Sequence, residues 1–129
     1  MDIPNASTLQ DFRSLLWHAV ISCVSHDGPH LVLTVKHVRR KALRLQGAMT
    51  FIGTTRIESR DIRNNDAMRY LEPGWEIDGL TYRSGLARLQ VSRSDSRKSF
   101  PVLHTIICDE VRLSLRLDLL RTLVALGHR

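Results

Sequence analysis

Between Val111 and Leu117 the chain alternates without a break: Val111, Leu113, Leu115 and Leu117 are apolar, and Arg112, Ser114 and Arg116 are polar. Successive side chains of a strand point to opposite faces, so this period of two puts the apolar set on one side and both arginines on the other. A strand with one dry and one wet face belongs to an antiparallel sheet rather than to a parallel one covered on both sides. Leu113, Leu117, Leu120 and Val124 also recur at helical spacing, so a single helix over 111–126 is the competing reading. The strict alternation favours a strand followed by a short helix over 119–126, with Asp118 as its N-cap and Gly127 as its C-cap.

The same period returns upstream. Ile21 and Cys23, then Leu31, Leu33 and Val35, then Leu43 and Leu45 form three alternating runs, broken at Asp27-Gly28-Pro29 and at Arg39-Arg40-Lys41. Turns centred on Gly28 and Arg40 would place Ile21 opposite Val35, Cys23 opposite Leu33 and Ala19 opposite His37, then Val35 opposite Leu45 and His37 opposite Leu43. All these pairs share one face, which is the consistency an antiparallel meander needs. Residues 49–57 have strand composition, and Gly53 within them marks a bulge or a close backbone approach. Trp75 and Ile77, and then Ala87, Leu89 and Val91, alternate again, whereas 92–99 reads as an exposed hairpin loop. The run 102–108 is nearly all apolar, as in a central strand covered on both faces. Short helices are expected over 8–16, capped by Ser7 or Thr8, and over 67–72, capped by Asp66 and stopped by Pro73-Gly74. The chain therefore reads as mainly β, one domain over 1–129. Its expected form is an antiparallel β-sandwich or partly closed barrel of seven to eight strands with short N- and C-terminal helices.

At 129 residues and 43% hydrophobic, the chain can bury a single core. No apolar stretch approaches the roughly 20 residues of a membrane-spanning helix, and no basic segment followed by an apolar one opens the sequence. A cytoplasmic protein without membrane contact is the expectation. Cys23 and Cys108 lie far apart in apolar segments without CxxC spacing, and are read as buried free thiols of a reducing compartment. The net charge is +6, and 16 of the 19 basic residues are Arg, a bias that base composition alone can produce.

Signatures of chemistry are missing: there is no GxSxG, HExxH, GxxxxGK[ST] or GxGxxG. His26, Asp27 and His30 flank one turn and could form a three-ligand site, but their spacing equally suits exposed turn residues. His37 falls on an apolar face, and His104 lies close to Asp109 and Glu110, where a general base or a structural hydrogen bond would both fit. Glu76 and Asp78 share a strand face opposite Trp75 and Ile77. Arg39, Arg40 and Lys41, and likewise Arg93, Arg97 and Lys98, form basic clusters at expected loop tips. Phosphate contacts could follow from these clusters, making a small basic nucleic-acid-binding protein the alternative function. Only seven aromatics and no recognised nucleic-acid motif weigh against it.

Trp17-His18-Ala19-Val20-Ile21, a turn, Leu31-Val32-Leu33-Thr34-Val35, then Leu43-Arg44-Leu45-Gln46-Gly47 and Phe51 follow one order: W-H-x-x-I, turn, L-x-L-x-V, turn, L-x-L-x-G, aromatic. This resembles small β-rich bacterial immunity proteins of polymorphic toxin systems, and Ile106-Ile107-Cys108-Asp109-Glu110-Val111 looks like their closing strands. The resemblance implies a noncatalytic domain that binds and blocks a partner toxin, with no catalytic residues to carry over. Many such proteins are acidic whereas this chain is basic, so a toxin with a cationic nucleic-acid cleft is not the partner expected. The expected function is thus a protein-interaction module needing neither metal nor cofactor. Arg39, Arg40, Lys41, Glu76, Asp78, Arg93 and Arg97 are its candidate contact residues, and a homodimer through an edge strand is a further expectation.

Overall fold

The computed structural model describes residues 2–3, 16, 18–40, 43–61, 67–68, 71–95 and 98–127. Eight full strands and two short ones form one antiparallel sheet. The strands are β1 (Asp2–Ile3), β2 (Val20–Asp27), β3 (His30–Arg40), β4 (Leu43–Ile52), β5 (Arg56–Asp61), β6 (Ala67–Met68), β7 (Glu76–Arg83), β8 (Leu86–Asp95), β9 (Lys98–Ile107) and β10 (Glu110–Leu117). A helix, α1 (Leu119–Gly127), follows. The order across the sheet is β1-β10-β4-β3-β2-β7-β8-β9-β5-β6. This corrects the expectation of a two-sheet sandwich or partly closed barrel: the strands are hydrogen-bonded into one sheet, and that sheet is not closed. The expected helix over 8–16 lies outside the described residues except for Leu16. The helix over 67–72 is replaced, where it is described, by β6, which pairs with Ser59 and Arg60.

One junction explains why there is a single sheet. β2 and β7 share the registered pair Val20 and Glu76, extended by hydrogen bonds from His18 N to Ile77 O (2.9 Å), Ile77 N to Ala19 O (2.7 Å) and Ile21 N to Trp75 O (2.9 Å). Just past it both strands carry a register shift, between Ile21 and Cys23 and between Ile77 and Gly79. Such bulges bend and twist a strand. The two halves of the sheet therefore swing away from their shared pair and fold over one core.

Two connections bring the far ends together: 53–55 joins β4 to β5 and 108–109 joins β9 to β10, each crossing from one half to the other. Three extended residues reach only about 10 Å, so the halves must meet here. Hydrogen bonds from Asp109 N to Ile52 O (2.7 Å), Cys108 N to Gly85 O (3.1 Å) and Thr54 N to Pro29 O (2.8 Å) gather four turns at this corner. The Tyr82 hydroxyl donates to the same connection, 2.6 Å from Asp109 O. The last residues of β3 and β8 and the first of β4 and β9 consequently lie at the opposite end of the strands, where α1 also begins.

A single buried cluster takes side chains from both halves, including Ile21, Leu33, Met49 and Phe51 on one and Ile77, Leu89, Val91 and Ile106 on the other. Alternation holds in β10, whose Val111, Leu113 and Leu115 are buried and Arg112, Ser114 and Arg116 exposed. The strand-then-helix reading of 111–126 is thus the one adopted. In β9 burial also alternates, so 102–108 is covered fully on one face only, and Ile107 is exposed. The supposed loop over 92–99 is mostly strand, since β8 runs to Asp95 and β9 starts at Lys98.

Bulges shift the expected registers. Ile21 does face Val35, but beyond Ser22 the phase slips, so that Val24 faces Leu33 and Cys23 faces Thr34. A second shift between Val35 and Val38 puts Val35 opposite Gly47, Val38 opposite Leu45 and Arg40 opposite Leu43. Cys23 is consequently exposed, contrary to its reading as a buried thiol, whereas Cys108 is buried. Burial also pushes the Cys108 thiol up to about 11, which suppresses the reactive thiolate. A thiol-reactive reagent at pH 8 is expected to label one cysteine of the native chain, Cys23. Labelling of Cys108 should wait for denaturant, as read by mass spectrometry of the peptides.

Candidate functional site

The most unusual surface lies at the end opposite the four-turn corner. β10 stops at Leu117, opposite Leu45, so Arg44 of β4, which pairs with Arg39 of β3 on one side, has no β10 residue opposite it on the other. The chain supplies substitutes: Asp118 N donates to Arg44 O at 2.8 Å, Arg44 N donates to the Thr122 hydroxyl at 3.0 Å, and that hydroxyl donates to Arg44 O at 3.2 Å. Asp118 also caps the helix, its Oδ1 accepting from Arg121 N at 3.3 Å. Thr122 is therefore buried, alone among the described side chains of α1 and only 3% exposed, where its hydroxyl completes the β4 ladder.

Orienting Thr122 inward turns the leucines outward. Leu119, Leu120, Leu123, Val124 and Leu126 are 60%, 74%, 57%, 53% and 45% exposed, and Leu43 and Leu117 extend the apolar surface to the end of the sheet. A helix on a globular protein ordinarily buries such a stripe. Here it faces solvent.

Beside the helix, His37, Arg39, Arg44, Leu120, Arg121 and Val124 line a groove of about 330 Å³. The β3 bulge builds one wall: His37 takes a left-handed φ of 62°, and Arg121 Nη1 lies 3.2 Å from His37 Nε2. With Arg121 donating, that nitrogen is the acceptor of a neutral imidazole. Three arginines thus line a recess with apolar side chains, and the described residues that line it include no carboxylate.

The sequence candidates divide between this site and others. Arg39 belongs to the groove. Lys41 and Arg97 lie outside the described residues, and of Arg40 only the backbone is described. Arg93, exposed on β8, sits at the same end of its strand as Arg39 does on β3. Glu76 and Asp78 lie at the β2–β7 junction and are not among the residues that line the groove. Glu76 Oε2 is 3.4 Å from His18 Nδ1, and Asp78 Oδ1 accepts from Ser92 Oγ at 3.1 Å. Trp75 and Ile77 are buried, as the alternation requires.

The other histidines take structural positions. His26 faces Leu31 and His30 faces Asp27, while His30 Nδ1 accepts from Gly53 N at 3.1 Å. Among the described residues no group of three or more His, Cys, Asp or Glu could hold a metal ion. His104 bonds neither Asp109 nor Glu110 among the contacts seen; its Nδ1 is 2.6 Å from Ser59 Oγ across the β5–β9 ladder. Both residues are buried, and burial pushes the imidazole down to about 4. A serine next to a histidine is the start of a nucleophile pair, but this one is sealed inside the core, where a substrate has no access.

Sequence reasoning places α1 and its Asp118 cap, but misses that the helix turns its leucines outward. Leu119, Leu120, Leu123 and Val124 carry the spacing of a core-facing helix, and the only local clue to their inversion is a threonine in their midst. Comparison with protein-family models, curated proteins and solved structures gives no match. No helix among the described residues is long and apolar enough to cross a membrane.

Proposed function

We propose that the chain is a noncatalytic protein-interaction module of the bacterial immunity type, and that α1 with the adjoining end of β3 and β4 is its contact surface. The observation that carries this reading is the set of five exposed apolar side chains on α1 beside the arginine-lined groove. Contiguous apolar surface rimmed by polar groups is characteristic of interaction sites. In this reading the folded-over halves of the sheet act as a sandwich-like scaffold that holds the helix in place. A homodimer through an edge strand, β1 or β6, is a further proposal for the assembly.

The test is a pull-down from native cell extract with the wild-type chain and a Leu123→Asp variant. A protein captured by wild type and lost with the variant is the expected result. Bulk nucleic acid recovered equally by both, without a protein, would overturn the reading in favour of a nucleic-acid binder.

A further inference from the structure

The groove specifies more than an apolar contact. On the basis of the interaction-module reading, we infer that the occupant of the α1 groove is an acidic amphipathic segment of a partner protein, with apolar side chains against Leu120 and Val124 and carboxylates against Arg39 and Arg121. Charge is the first argument. Arg39 and Arg121 line one recess with His37, and the described residues that line it include no carboxylate, in a chain whose net charge is +6. A planar guanidinium fits a carboxylate with two parallel hydrogen bonds, and burial beside leucine side chains strengthens such a pair.

Other occupants fit less well. A second copy placed by a twofold axis through α1 would bring like arginines face to face. The nine-residue helix is only about 14 Å long, and α1 alone is too small for the roughly 800 Å² per partner of a stable dimer. Nucleic acid would satisfy the arginines and leave the leucines in water, and the groove offers no aromatic ring for a base to stack on. A bilayer is flat, whereas the guanidinium groups line a recess next to the helix. An acidic segment with leucine-like residues at i and i+4 answers both halves of the site, as in helix-in-groove recognition.

The test uses the full chain and a displayed library of random 16-residue peptides, with selected sequences synthesised and their affinities measured by fluorescence anisotropy. Enriched peptides are expected to combine Asp or Glu with apolar residues at helical spacing and to bind more weakly as salt rises. Arg39→Glu and Leu120→Asp should each weaken binding about tenfold or more, whereas Arg88→Glu, on exposed β8 surface, should leave it unchanged. Replacing the peptide carboxylates by amides should give the same loss on the unaltered protein, which separates recognition from any folding defect of a variant.

Enrichment of basic or purely apolar peptides indifferent to Arg39→Glu would overturn the inference. Selection of no peptide at all would do the same, while a Leu123-dependent partner in the pull-down would leave the module reading standing. Two controls name the other occupants. A dimer in sedimentation that Leu120→Asp makes monomeric would assign the helix to a second copy. Binding to phosphatidylglycerol–phosphatidylcholine vesicles that the same variant abolishes would assign it to a lipid surface. Either result overturns the acidic-segment assignment.

Discussion

Gly47→Ala is expected to destabilise the protein by about 3 kcal/mol, among the largest effects of any single added methyl group in this fold. Gly47 sits within β4, between Val35 of β3 and Leu115 of β10. A Cβ there would collide with the Ser114 carbonyl oxygen and lie 2.9 Å from Leu115 Cα. Both are backbone atoms, so no side-chain rotation relieves the clash, and β10 itself must move. Because β10 joins β1 to the rest of the sheet and leads into α1, displacing it also loosens both. Gly79→Ala is the matched comparison, since a Cβ there meets nothing within 4 Å. Urea denaturation should show a large fall in midpoint for Gly47→Ala and a change within about 1 kcal/mol for Gly79→Ala. Equal effects would remove the close approach as the cause.

The second large effect is a loss of about 3 kcal/mol of stability on acidification, from His104 alone. Its imidazole falls from the ordinary 6.5 to about 4 because burial penalises the charged form. Above pH 6.5 the ring is neutral in both folded and unfolded chains, and its contribution is constant. As pH falls from 6.5 to 4 the unfolded chain takes up the proton and the folded chain does not, so stability drops. Below about 4 both forms are protonated and the loss levels off. Denaturation midpoints measured across this range should fall in the wild type and fall less in His104→Gln, which keeps a polar partner for Ser59. NMR should show the His104 ring neutral at pH 5.5 in the folded state. A charged ring at that pH would refute the assignment.

The strands with unbroken alternation were legible in the sequence. In β8 and β10 the period predicts which residues are buried over 87–91 and 111–116, because the bulge in the β7–β8 pairing places its extra residue, Asp78, on β7 and the β10–β4 pairing has none. The registers of β2 with β3 and of β3 with β4 were legible only in part. A bulge changes the phase by one residue, and Ser22, Lys36-His37 and Asp78 are ordinary surface residues whose identity carries no mark of the slip. Cys23 is exposed for that reason alone. The single open sheet was not legible either, since β2 and β7 meet at one registered pair contributed by distant stretches of chain. At the site, Arg39 could be named as a basic residue near a turn. The recess it lines depends on His37 at positive φ and on Thr122 replacing a strand beside Arg44, neither of which has a local pattern.

The sheet order also determines when the molecule can finish itself. β4 has β3 on one side early, but its other neighbour is β10, and β5 likewise waits for β9. During synthesis, which exposes the chain from its N-terminal side, the outer edge of β4 stays open until residues 110–117 have left the ribosome. An incomplete chain presents a strand edge together with Met49 and Phe51, which are fully buried in the finished protein. That is the combination that recruits chaperones or seeds aggregation. Yield in the cell should therefore depend on how quickly the last strand follows the others, and changes that slow translation late in the message should cost more folded protein than the same changes placed early.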